Sequence, residues 1–284
     1  MNTNRQQRFK AIDALRGIAA LLVVWQHSAE SFVNIAEIAR NGSLLADIAK
    51  QFDPGRIGII CFFLISGFVI PASFQVTNKQ ALKHFAIRRI FRLYPAYWLS
   101  LITIGLYYHY IGFEIGIMTY LANSSMLQGL FSQPHLIGLY WTLQVELCFY
   151  LLCALLFQKG WLNNYKVVFI IIVVLISVFI AEQSLRALGY LQLNISKELQ
   201  LLPYLLAIML LGALFRRIFD TDFKQHSLNR YALLATLLCF GLPAVLLITS
   251  LLGYQTVEAA FRFGAAHVMA LLLFIFGIKL LLKP

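Results

Sequence analysis

Residues 16–27 read RGIAALLVVWQH: ten positions without formal charge, closed at one end by an arginine and at the other by a histidine. Nearly all ten are apolar. They sit in a longer run, 11–33, that meets the roughly 20 residues a helix needs to cross a bilayer. Seven further runs read the same way: 57–74, 93–111, 139–157, 166–181, 199–215, 231–252 and 264–281. Of the 284 residues, 60% are hydrophobic and 12% charged, and the mean hydropathy is +0.76. A soluble domain carries roughly twice that charged fraction. The fold class is therefore all-α, a polytopic transmembrane helix bundle of about eight spans in one domain, 1–284. The N-terminal run is too long for a signal-peptide core and no A-x-A-like site follows it, so it is read as a retained first span.

A weaker segment, 115–131, carries Asn123, Ser124, Ser125 and Gln128. Charge decides whether it crosses. The net charge of +11 at pH 7 would suggest nucleic acid in a soluble chain. Here its distribution matters more, and no nucleic-acid partner is expected. Basic groups collect before the first span, after the second (Lys79, Lys83, Arg88, Arg89, Arg92, with no acid), and again at Lys159 and Lys166, Arg216 to Arg230, and Lys279 and Lys283. The intervening connections are balanced or acidic. The alternation holds only if 115–131 is re-entrant or interfacial, which places both termini in the cytoplasm.

Ionisable groups inside spans cost about 2.5–3.5 kcal/mol on insertion scales and so call for an explanation. Arg16 and His27 are eleven residues apart, which on a helix is about 16 Å along the axis and about 20° around it. Asp13 lies on the same side, at i,i+3 to Arg16. Arg16 has an ordinary reading as a snorkelling anchor, and His27 as a core histidine bonded to a neighbouring helix. On one face together they read as two ends of a path. The fourth span contributes Glu146, at a depth like that of His27; a carboxylate that fixes an imidazole suits general-base catalysis. Trp141, Thr142 and Tyr150 could hold Glu146 or a substrate. Glu30, one turn beyond His27, is a rival partner for it.

The stretch HFAIRRIFRLYPAYW is the densest cationic cluster. Arg88 and Arg92 stand at i,i+4, Arg89 and Arg92 at i,i+3, a spacing suited to gripping phosphates; lipid headgroups are the ordinary alternative. Pro95 is read as the point where the chain restarts into the third span. Ser66 and Gly67 form a small pair where helices approach closely, and no G-x-S-x-G context makes Ser66 a nucleophile. Cys61, Cys148, Cys153 and Cys239 lie in apolar runs as small hydrophobes, and no metal cluster is expected.

These pieces, in this order, resemble the acyltransferase-3 family of membrane enzymes that acylate sugars, many of them bacterial surface glycans. The matching stretches are AIDALRGIAALLVVWQH, GIICFFLISGFVIP, FAIRRIFRLYPAYW and YWTLQVELCFYL, in register across residues 11–152. Family members usually run on through further spans, so the chain is expected to be a compact member or to lack the last of them. The resemblance implies an acyl-CoA donor, commonly acetyl-CoA, and a hydroxyl acceptor on a cell-surface or lipid-linked carbohydrate, at the bacterial cytoplasmic membrane. It points to His27 as the catalytic histidine, Arg16 as its partner on the first span, and Arg89 and Arg92 as a functional pair. Arg88, Arg89 and Arg92 would then hold the phosphates of coenzyme A, and its arm would bring the thioester to His27. Two competitors remain on the sequence alone: a proton-coupled transporter using His27 and Glu146 as a relay, and a non-catalytic lipid or glycan scaffold.

Overall fold

The computed structural model describes residues 2–33, 52–74, 80–191, 196–221, 224–252 and 258–282. Among the described residues there are helices and no strands: α1 (Asn2–Val33), α2 (Pro54–Val69), α3 (Ala81–Tyr110), α4 (Ile117–Ser124), α5 (Tyr140–Gln158), α6 (Tyr165–Ala187), α7 (Lys197–Gln200), α8 (Leu202–Asp220), α9 (His226–Leu251) and α10 (Glu258–Leu282). Short 3₁₀ turns follow α2 (Pro71–Ser73) and α4 (Gln128–Phe131). Among the described residues six segments are long and apolar enough to cross a membrane: Pro54–Ser73, Tyr140–Gln158, Tyr165–Ala187, Leu202–Asp220, His226–Leu251 and Phe261–Leu280. These are six of the eight expected spans. The other two, in α1 and α3, lie in the longest helices, of 32 and 30 residues. Their arginines, histidines and tyrosines dilute the hydropathy.

Segment 115–131 holds no helix long enough to cross. Its helix α4 has eight residues, about 12 Å against a hydrocarbon core of roughly 30 Å. Pro95 differs from expectation. It lies inside a continuous α3 rather than at a break, so the basic cluster and the following apolar run are one rod of about 45 Å. A helix at membrane depth tolerates the hydrogen bond that proline removes when neighbouring groups re-satisfy the freed carbonyl.

The chain forms two compact units. The first joins Met1–Phe68 to Ile208–Pro284, with α9 and α1 each packed on α10. Its centre is the crossing of α2 and α8, each two-thirds buried. A Cβ on Gly67 would collide with the Met209 backbone, and one on Gly212 with the Leu64 carbonyl and the Phe68 amide. Only hydrogen fits at either place. Phe68 then packs edge-on against Phe219 (5.7 Å) and Phe274 (6.1 Å).

Asp53 starts α2 from a left-handed backbone conformation (φ 46°). Its Oδ1 accepts the Arg56 amide hydrogen at 3.0 Å, an N-cap with Pro54 in the first helical position. Its Oδ2 meets Arg262 Nε of α10 at 3.0 Å and Arg56 Nη2 at 3.3 Å. That carboxylate, buried at 6% exposure, ties the first third of the chain to the last helix.

The second unit is Val69–Ala207. Tyr97, Leu101, Met126 and Tyr140 form a core between α3, the α4 segment and α5. Phe74 stacks on Phe85 (4.1 Å) and Phe157 (4.6 Å). Asn123, fully buried, holds the α4 segment closed. Its Nδ2 donates to the Thr119 and Pro134 carbonyls, and its Oδ1 accepts the Leu136 amide hydrogen. Helix α6 is 17% buried with a mean hydropathy of 2.6, so most of its apolar surface faces outward, the arrangement lipid rewards and water penalises.

Candidate active site

Glu146 lies in the second turn of α5 and is buried at 6% exposure. A carboxylate there must be satisfied or it costs several kcal/mol. Tyr150, one turn on and also buried, donates its hydroxyl to Glu146 Oε1 at 2.5 Å. The expected i+4 contact is present. Thr142, expected on the same face, instead donates to the Leu139 carbonyl (2.8 Å). Trp141 is half-buried beside it.

The other face of the Tyr150 ring carries Arg89 from α3. Its guanidinium carbon stands 5.1 Å from the Tyr150 centroid and 5.2 Å from that of Phe85, a cation–π arrangement on two rings. Nη2 donates to Ser73 Oγ at 3.0 Å, and Ser73 donates onward to the Ile70 carbonyl. Among the described residues Arg89 has no carboxylate within ion-pairing distance. Arg88 and Arg92 are exposed on α3, and Arg88 Nε is bonded to the His84 carbonyl (3.2 Å). The three arginines therefore differ in exposure, Arg89 half-buried and Arg88 and Arg92 exposed.

Arg89 and Tyr150 line a cavity of about 490 Å³ between α3 and α5. Its other walls include Phe85, Ile90, Leu93, Trp98, Leu147 and Leu151, and almost none of them is polar. A coenzyme A arm carries amide groups that would find few hydrogen-bonding partners on these walls.

The remaining candidates belong to the first unit. Arg16 is half-buried and pairs with the exposed Asp13 at 3.7 Å, as the i,i+3 spacing implies. His27 is exposed on α1. Ser66 is buried next to Gly67. The side chain of Glu30 lies outside the described residues, as does most of the 34–56 loop. No group of three or more metal-binding side chains occurs among the described residues.

Two polar clusters were not singled out from sequence. One is the Asp53–Arg56–Arg262 tie, near which His267 is buried with Nδ1 donating to the Phe263 carbonyl at 2.8 Å. His267 falls within the apolar run 264–281, so the rule that drew attention to His27 applies to it equally. The other is in the α4 segment, where Gln128 Nε2 donates to His135 Nδ1 (2.6 Å). Burial pushes the His135 pKa below its ordinary value, against an opposing pull from Glu198. A bond that needs an unprotonated Nδ1 fits that direction.

No curated protein and no solved structure matches the chain. A family model described as an acyltransferase domain, Acyl_transf_3, matches residues 9–284. The match covers α1 with its arginine and histidine, the α3 cluster and the Glu146–Tyr150 pair alike, and the chain belongs to the acyltransferase-3 family of membrane acyltransferases.

Proposed function

We infer that the protein is an O-acyltransferase that moves an acyl group, acetyl in the simplest case, from acyl-CoA to a hydroxyl of a cell-surface or lipid-linked carbohydrate. His27 takes the proton from the acceptor hydroxyl as its oxygen attacks the thioester carbonyl. The carbon–sulfur bond then breaks, and the imidazolium returns the proton to the departing thiolate. Glu146, with Tyr150 donating to it, is the second catalytic group. The exposed Arg88 and Arg92 receive the donor phosphates. The enzyme resides in a bacterial cytoplasmic membrane with both termini on the cytoplasmic side, so donor and acceptor arrive from opposite faces.

The observation that carries this reading is the buried Glu146–Tyr150 pair in a chain matched by the acyltransferase model. An ionisable group kept inside a membrane bundle with a dedicated donor is a functional residue by default. The deciding experiment incubates purified protein with radiolabelled acetyl-CoA and a panel of glycan acceptors. The label should move to an acceptor hydroxyl with the wild type. His27→Ala should lose at least about a hundredfold in rate, the usual contribution of a general base, while inserting and purifying normally. An active His27→Ala protein would overturn the mechanism. Wild type that neither binds nor hydrolyses any acyl-CoA would overturn the assignment of the donor.

A further inference from the structure

The trough between α3 and α5 is apolar, yet Arg89 stands in its wall with no carboxylate paired to it among the described residues. A half-buried guanidinium in such a place attracts an anion. Of its five N–H groups one is engaged, by Ser73, so a fork remains to take a phosphate. From Arg89 to Trp98 the wall runs nine residues along α3, about 14 Å. That is close to the depth of one leaflet, half of the roughly 30 Å hydrocarbon core. Ile90, Trp98 and Leu151 on its rim are themselves exposed, so the trough opens sideways to the membrane. Arg88 and Arg92 are exposed on the same helix, and no acidic residue occurs between Asp53 and Glu114.

We propose that this trough is a binding site for one glycerophospholipid of net negative headgroup. The lipid phosphate is held by Arg89 and one acyl chain lies along Ile90, Leu93 and Trp98 of α3 and Leu147 and Leu151 of α5. The occupant is a membrane lipid rather than coenzyme A, because its phosphate joins hydrocarbon within a few atoms whereas the coenzyme places amides there. Arg88 and Arg92 bias the site toward anionic headgroups without entering the trough.

The test is native mass spectrometry of the purified full chain delipidated in detergent, then titrated separately with a phosphatidylglycerol and a phosphatidylcholine of identical acyl chains. One phosphatidylglycerol should be retained, at least about fivefold more tightly than phosphatidylcholine, the size of one attraction between a surface arginine and an anionic headgroup. Arg89→Gln should weaken retention of both lipids at least about tenfold, the size of one charge-assisted hydrogen bond to the phosphate they share. Ala154→Trp, which fills the trough, should remove the retained lipid, and Leu151→Trp at the rim does the same if the first variant does not purify. Lys166→Gln, a charge change on another helix, should alter nothing. Glycerol phosphate without acyl chains should fail to compete. Equal retention of both lipids by the wild type, unchanged retention in both tryptophan variants, or competition by glycerol phosphate would each overturn the proposal.

Discussion

Arg89 has neighbours at positions 88 and 92 that look equivalent in the sequence. Helical periodicity separates it by about 100° from Arg88 and about 60° from Arg92, but which face meets α5 is a matter of tertiary packing. The sequence therefore locates the cluster and leaves its division open. Glu146 and Tyr150 were legible, because i,i+4 spacing on one helix fixes the contact whatever surrounds it. Thr142 obeys the same spacing, but its hydroxyl is satisfied more cheaply by the carbonyl three residues back. Tyr150→Phe removes the hydroxyl and leaves a buried carboxylate without its donor. The expected cost is about 1–3 kcal/mol, read as a fall in melting temperature in detergent together with at least tenfold slower acyl transfer. A variant as stable and active as wild type would show that Glu146 does not depend on Tyr150.

At the scale of elements, the small pair Ser66-Gly67 signalled close helix approach, and α2 crosses α8 there. The sequence did not name the partner, since Gly212 is reciprocal only in three dimensions. Gly67→Leu forces the two backbones apart, and overpacking of this kind costs at least about 1–3 kcal/mol. The expected result is a broadened, less monodisperse elution profile and a lower melting temperature. Gly241→Leu, at a glycine with open space around it, should leave both unchanged.

The α4 segment should respond to acid. The His135 pKa is lower in the fold than in the unfolded chain, so the folded segment binds fewer protons. Its stabilisation is present above the unfolded value near 6.5 and fades as pH falls below it. Hydrogen exchange over residues 124–139, corrected for intrinsic rates, should rise between pH 7.5 and 5.5. That rise should vanish in His135→Gln.

For the whole molecule, the positive-charge alternation requires that residues 115–131 not cross. The eight-residue α4 agrees with that requirement. Exposed positions on either side of the segment, Phe113 and Gly138, should therefore lie on one side of the membrane. Single cysteines there should both react with an impermeant maleimide added to intact cells or both be protected. Labelling of one alone would mean that the segment crosses and that every later helix is inverted. The division into two units was not legible, because it depends on contacts between residues far apart in the chain.

Asp53 and Arg262 stand 209 positions apart, and the first unit cannot be completed until the last helix has been made. Residues 69–207 leave the ribosome as one uninterrupted stretch and can settle while synthesis continues. During that interval the amino-terminal helices wait in the bilayer without their final neighbours. A pause or truncation late in translation would thus strand the Asp53 carboxylate without Arg262, one of its two guanidinium partners, and membrane quality-control proteases would meet a half-assembled protein with its middle already built.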